Sequence, residues 1–396
     1  MEKKLLKTVE QNLKMLAHTI GERPSGSLAH QKARRFIVKT LQDLGYETHE
    51  QIYDCPYWEF KDIKLKLNEE RLPVVPNPFS PPCRIAYEPV CAATLEELEK
   101  KDFKEKILVL HGEITKEPFI PKNFDIFKIE EQEKAIEILK EGKPAAIVAV
   151  SHQSKYFPPL IEDSDFPFPS VTVSKETGEK ILMESSSKID LQINCENHIS
   201  ESSNIVARKN ISDNEERTIL CAHYDTKYGT PGAIDNAAGI TAMLTLAQLL
   251  SEAKGLRVEL VAFGSEDCYY PGDVQYFDLC KPYQATIKRA VNIDGIGMKG
   301  KNNSMIYLSP REEDLNVLDD LKTKYPDIQS VEDYFEGDHA LFSMRGIPAI
   351  SLSSVDIHDF INVIIHQQTD TLEKVDPEKI VEIVEFVKDF LAESGY

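Results

Sequence analysis

Leu5, Leu6, Val9, Leu13, Leu16 and Ile20 recur at helical spacing, and Gly21 ends the run. Ala33, Phe36, Ile37, Leu41 and Leu44 repeat the pattern up to Gly45, so two amphipathic helices open the chain. A strand around Tyr46–Tyr53 is expected next. The stretch LPVVPNPFSPP carries too many prolines for a helix or a central strand and reads as a linker or extended arm. From about Ile85 to Asn194 the texture changes. KILVLHGEI, AAIVAVS and PSVTVS read as strands, and EEQEKAIEILKEGKP and KETGEKILM as helices. After SSNIVARK the pattern becomes strand, loop, helix in repetition. TILCA, VELVAFG, AVNID, SMIYL and PAISL are strands, GITAMLTLAQLLS is a helix, and Asp376-Pro377 opens a last helix through Phe390 with an N-cap and an N1 proline.

Strands too continuously apolar to have a wet face predict an α/β fold, a mostly parallel central sheet covered by helices. Ligands of such sheets gather beyond the carboxyl ends of the strands. At 396 residues two domains are expected. The organisation read from the texture is a main domain of residues 1–58 and 196–396, with residues 59–195 inserted as a smaller module that forms a lid. The insert holds His111 and His152 without a ligand cluster. No apolar run reads as long enough to cross a bilayer, and the charged, amphipathic start does not read as a signal peptide. Seven cysteines without CxxC spacing favour reduced thiols, and with them a cytoplasmic location. The formal charge of −20 argues against nucleic acid and anionic membrane as partners, and mildly favours cationic substrates such as a peptide's free amine. Nothing in the sequence sets an oligomeric state.

Five short segments of the C-terminal half each place a metal-type ligand where a buried strand or turn ends. They are His223 and Asp225 in CAHYDT, Asp235 in GAIDNAAG, Glu266 and Asp267 in FGSEDC, Asp294 in VNIDGIG, and His366 in IHQQTDT. Singly, each has an ordinary explanation: a surface loop, a helix N-cap, a turn former, a core histidine. Together, two histidines and several carboxylates make the nitrogen and oxygen set that zinc favours at catalytic sites. Gly295-Ile-Gly297-Met-Lys-Gly300 matches GxGxxG after a strand, but KNNSMIYL runs on toward another strand and offers no helix to receive a pyrophosphate. No GxSxG elbow occurs, and Cys221 and Cys268 stand in no catalytic pattern.

The order HxD, GAxDNxxG, acidic pair, NxD, HxxxDT resembles the M28 family of zinc aminopeptidases, from Ser202 to the C-terminus. EGDHALFSMRGIPAI is similar to that family's SDHxxFxxxGIPA segment, and IGERPSGS to its N-terminal signature. The insert, with KEKILVLHGEI and FPFPSVTVSKETGEKIL, resembles a protease-associated domain. The resemblance implies a zinc exopeptidase-like fold and two zinc ions bridged by Asp235. One ion is also held by His223 and Asp294, the other by Asp267 and His366; other divalent metals are open. It implies Asp225 as the support of His223, Glu266 as general base, and a cis Asp235-Asn236 peptide. Two departures stand out. Asp267 replaces the usual Glu, and Cys268-Tyr269-Tyr270 replaces Gly-Leu, so the pocket beside the base is expected to be reshaped.

The expected function is a metalloaminopeptidase acting on peptides with a free N-terminus, the metals activating a water and Glu266 moving its proton. Two rivals remain open. One is a metal-dependent amidohydrolase or glutaminyl cyclase-like enzyme of the same fold. The other is a non-catalytic receptor or scaffold with a relic site.

Overall fold

In the computed structural model the described residues are 2–122, 128–155, 157–253, 257–268 and 272–395. They divide into two compact units, Met1–Cys55 with Ser200–Tyr396, and Pro56–Ile199. Two long strands, Glu47–Leu67 and Ile189–Arg208, each begin in one unit and end in the other. The first is far longer than the run expected at Tyr46–Tyr53. The strand continues through Pro56.

The first unit is organised on four parallel strands. Arg217–His223 lies between Val258–Phe263 and Ile287–Ile293, and Ala349–Ser354 pairs beyond the last of these. Antiparallel strands flank them: Asn303–Leu308 beside Ala349–Ser354, and Ile205–Ala207 beside Val258–Phe263. The parallel reading therefore holds at the centre and gives way at the sides. Every residue of the three innermost strands except Lys288 is buried. The cause is helices on both faces. Leu220 and Ala222 pack with the helices Leu28–Asp43, Gly239–Leu250 and Pro377–Glu393, whereas Ile219 and Cys221 pack with Tyr276, Phe277 and Phe342. Side chains alternate across a strand, so a strand covered on both faces is apolar over most of its length, and its buried charges are paired, as Arg217 is with Glu259 at 3.1 Å. Asp376 caps the last helix, accepting the Glu378 N–H at 3.1 Å, with Pro377 at its first position.

One sequence expectation needs correction. The stretch Ala233–Leu250 is long and apolar enough to cross a membrane by length and composition, but 89% of it is buried inside the protein. It is the central core helix together with the turn that opens it. The GxGxxG match is also resolved. Gly295, Gly297 and Gly300 take positive φ in turns, and the chain enters the strand Asn303–Leu308 rather than a helix.

The second unit has a five-stranded sheet in the order Val75–Pro76, Ser170–Val173, Ala146–Val150, Ile107–Leu110, Pro89–Ala92. The last four are mutually parallel, and Val75–Pro76 adds antiparallel at the edge, where proline is tolerated. The helices Leu95–Lys100, Glu130–Gly142 and Lys175–Met183 belong to it. Hydrophobic periodicity had not indicated the first of these or the strand Cys83–Tyr87.

Candidate metal centre

Strand register places the candidate residues at one edge. His223 is the last residue of its strand and pairs with Phe263, so Gly264 to Asp267 leave the sheet beside it. Asp294 follows Ile293, and its N–H donates to Leu352 O at 2.9 Å. Asp235 comes from the turn that opens the core helix. That turn is held by Asp370, whose carboxylate accepts the N–H of Ile234 at 2.8 Å and of Asp235 at 3.1 Å. Asn236 donates to Ile293 O and accepts the Gly239 N–H, and the Asp235-Asn236 peptide is cis. His366 comes from an irregular loop with φ of 60°, a left-handed conformation in which histidine is over-represented.

Asp235 is the hinge of the arrangement. Its Oδ1 lies 2.9 Å from His223 Nε2, and its Oδ2 lies 3.0 Å from His366 Nε2. His223 Nε2 is also 3.3 Å from Asp294 Oδ1, and His366 Nε2 is 3.2 Å from Asp267 Oδ1. Two three-ligand groups result, His223–Asp235–Asp294 and Asp235–Asp267–His366, sharing Asp235. Glu266 Oε2 stands farther off, 3.8 Å from His223 Nε2. Asp225 Oδ1 is 3.3 Å from His223 Nδ1 and accepts the Glu266 N–H at 3.1 Å. All seven residues singled out in the sequence therefore meet here.

The donor set fits a cation. Both ring nitrogens of His223 are buried, yet neither makes a geometrically sound hydrogen bond. An imidazole lone pair aimed at carboxylate oxygens is repulsive unless a proton or a cation lies between them. With no ion bound, burial works against a charged His223 ring. Asp294, Glu266, Asp225 and Asp235 outweigh it and raise the ring well above its ordinary range. Burial likewise opposes charge on His366, and Asp267 and Asp235 overcome it. Burial pushes Glu266 up, as do Asp267 and Asp294 against the pull of His223. These are carboxylates and imidazoles crowded as metal ligands are.

Several residues of the site had not been assigned from the sequence. Arg23 is fully buried and donates from Nε to Tyr224 O at 2.8 Å, from Nη1 to Pro231 O at 2.8 Å, and from Nη2 to Gly232 O at 3.0 Å. Burial lowers it to about 10, with Asp370, Asp225 and other carboxylates opposing, so it stays charged at neutral pH. Ser25 Oγ lies 2.7 Å from Gly264 O and 3.2 Å from Asp225 Oδ2. His30 Nε2 lies 2.9 Å from the same Gly264 carbonyl. The signal for Arg23 and Ser25 was the resemblance of IGERPSGS to the family's N-terminal signature, which assigned neither a role. His111 and His152 join no metal-type group among the described residues; His152 Nε2 lies 2.8 Å from Gly112 O. Glu59, Glu196 and His198 do converge in the second unit, but all three are exposed and Lys61 pairs with Glu196. Tyr269 and Tyr270, where a reshaped pocket was expected, lie outside the described residues.

Residues 204–391 match the model of peptidase family M28. Aminopeptidase YwaD of Bacillus subtilis is 23% identical over 322 residues, 77% of this chain; the match spans 65% of that protein, just under two thirds. Human carboxypeptidase Q is 24% identical over 402 aligned positions, covering 93% of this chain and 81% of that protein. Among solved structures, a zinc aminopeptidase from Bacillus subtilis superposes with a TM-score of 0.80 at 20% identity, covering 98% of this chain and 95% of that one. An aminopeptidase from Aneurinibacillus sp. strain AM-1 gives 0.75 at 19%, covering 98% and 93%. At these identities the structures speak for the fold alone. Residues 204–391 thus match the model of peptidase family M28 over the part of the chain whose candidate ligand side chains gather at the strand ends.

Proposed function

We propose that the chain is an aminopeptidase with a co-catalytic pair of zinc ions and Glu266 as general base. The observation that carries this reading is the span of Asp235, one oxygen toward each histidine. On it, His223, Asp235 and Asp294 hold one ion, and Asp235, Asp267 and His366 hold the other. The zinc aminopeptidases of the same fold support the choice of metal. Zinc, when bound, supplies Lewis-acid polarisation of a carbonyl and lowers the pKa of a coordinated water.

The chain's own groups do the rest. Asp225 orients His223 through Nδ1, leaving Nε2 for the centre. Glu266, fixed through its backbone N–H but with its carboxylate set back from His223, takes a proton from the attacking water and returns it to the leaving amine. The carboxylate-rich rim attracts the ammonium of a free peptide N-terminus, which restricts cleavage to the first residue. Residues 59–195 form a protease-associated-like domain and supply no catalytic group.

The test is a substrate panel on zinc-loaded protein, alongside elemental analysis. Aminoacyl p-nitroanilides and free-amine peptides should be hydrolysed and N-acylated ones spared. Metal content should approach two ions per chain and fall to none in Asp235→Ala. Hydrolysis confined to N-blocked dipeptides, cyclisation of N-terminal glutamine, or no turnover in fully loaded protein would each replace the reading with one of its rivals.

A further inference from the structure

Residues 23–30 lie outside the family match at 204–391, yet they touch both turns that carry the site. Building on the two-zinc reading, we propose that Arg23–His30 is a positioning element. In it Arg23 sets the metal-holding loop, and His30 with Ser25 sets the turn that bears Glu266.

The loop from Tyr224 to Gly232 links His223 to Asp235. Arg23 ties its two ends together, Tyr224 O at one and Pro231 O and Gly232 O at the other, while its own N–H donates to Thr226 Oγ1 at 3.0 Å. A planar guanidinium serves carbonyls in three directions at once, which a lysine ammonium on a flexible stem does not. Gly232 has φ of 61°, and a Cβ there would stand 2.4 Å from Asp235 O and 3.3 Å from Arg23 Nη2. The loop is therefore seated directly against the guanidinium. Its closure governs where Asp235 stands relative to His223.

Gly264 O is the anchor of the second turn. Ser25 Oγ, Ser202 Oγ and His30 Nε2 converge on it at 2.7, 2.8 and 2.9 Å. Two residues on, the Glu266 N–H is held by Asp225, which Ser25 also contacts. The His30 ring stacks on Tyr224, with centroids 4.5 Å apart. Since Nε2 faces a carbonyl it carries the proton. Nδ1 is then a bare acceptor, buried with no hydrogen-bond partner. A purely packing role would be filled better by an apolar ring, so the imidazole is there for its one donor.

The two arms separate in experiment, using the full chain loaded with zinc. Zinc affinity is read by competition with a chromophoric chelator, kcat and KM on an aminoacyl substrate at saturating zinc, and folding by Tm. Arg23→Lys is expected to weaken zinc roughly 10–100-fold, more than it lowers kcat at saturating zinc. His30→Phe keeps the stacking ring and is expected to leave zinc affinity within a few-fold. It should lower kcat roughly 10–100-fold with KM little changed, and His30→Gln, which restores a donor, should recover much of that. Thr226→Val and Ser25→Ala are milder substitutions on the two arms and should move the same readouts in the same directions if the first variants fail to fold. Variants that shift only Tm, or that move zinc affinity and kcat in equal proportion, overturn the assignment. A wild-type chain that binds zinc but hydrolyses nothing sinks the peptidase reading instead, and the zinc-affinity arm still reports on Arg23.

Discussion

Glu266 and Asp267 are chain neighbours with opposite surroundings. Asp267 is engaged at both oxygens, Oδ1 3.2 Å from His366 and Oδ2 accepting the Lys227 N–H at 3.1 Å, and it is almost fully buried. The Glu266 side chain is about a quarter exposed and set back from His223. Glu266→Gln should therefore keep both metals and lose roughly 10²–10⁴ in turnover, because an amide can hold water but cannot take its proton. Asp267→Asn should instead release one metal and be partly rescued by excess zinc. Metal stoichiometry measured beside turnover separates the two; the opposite pattern would exchange the roles. At this scale the sequence was informative wherever a candidate ligand follows an apolar strand within a few residues, as His223 and Asp294 do. It assigned no role to Arg23 or His30, whose partners are some two hundred positions away. A buried arginine or a neutral core histidine is written the same way in sequence as an exposed one.

The core helix meets the strand Ile287–Ile293 without clearance. A Cβ on Gly239 would stand 2.1 Å from Ile293 O and 2.2 Å from Asn236 Oδ1. Gly239→Ala would ordinarily strengthen a helix, but here the close approach should reverse the sign. The expected cost is about 1–3 kcal/mol, the range for overpacking, read as a lower denaturation midpoint in urea. Because Ile293 adjoins Asp294 and Asn236 adjoins Asp235, zinc affinity should fall as well. A variant as stable as wild type would show that the contact relaxes freely. Elements with strong periodicity or explicit caps, such as the helix begun by Asp376-Pro377, were legible in advance. The strands Cys83–Tyr87 and Pro89–Ala92 were not: they are short and adjoin the proline-rich stretch, and their pairings with distant segments decide them.

Charge is a property of the whole molecule. A formal net charge of −20 sets up an attractive field for cationic peptides and a repulsive one for acidic ones. The value of kcat/KM for a lysine-rich peptide should fall as salt is raised from low to physiological strength, and that for an acidic peptide should rise, with kcat little altered in either. Salt effects of the same sign on both would place the determinant in local contacts instead. The α/β class and the position of the site were readable from composition and order. The mixed flanks of the central sheet were not, since direction in a sheet depends on connections rather than on the strand's own residues.

The helix region Ala233–Leu250 has a further consequence, which concerns synthesis rather than the finished protein. Its cover includes the strands Val258–Phe263 and Ile287–Ile293 and the final helix Pro377–Glu393, all of which leave the ribosome later than it does. Until those residues have followed, the most membrane-like stretch among the described residues stands without its native shelter. The nascent chain is thus most exposed to aggregation, and most in need of a chaperone, during the interval between residue 250 and the last helix. The same compact apolar helix that steadies Asp235 in the folded protein makes its birth the hazardous step.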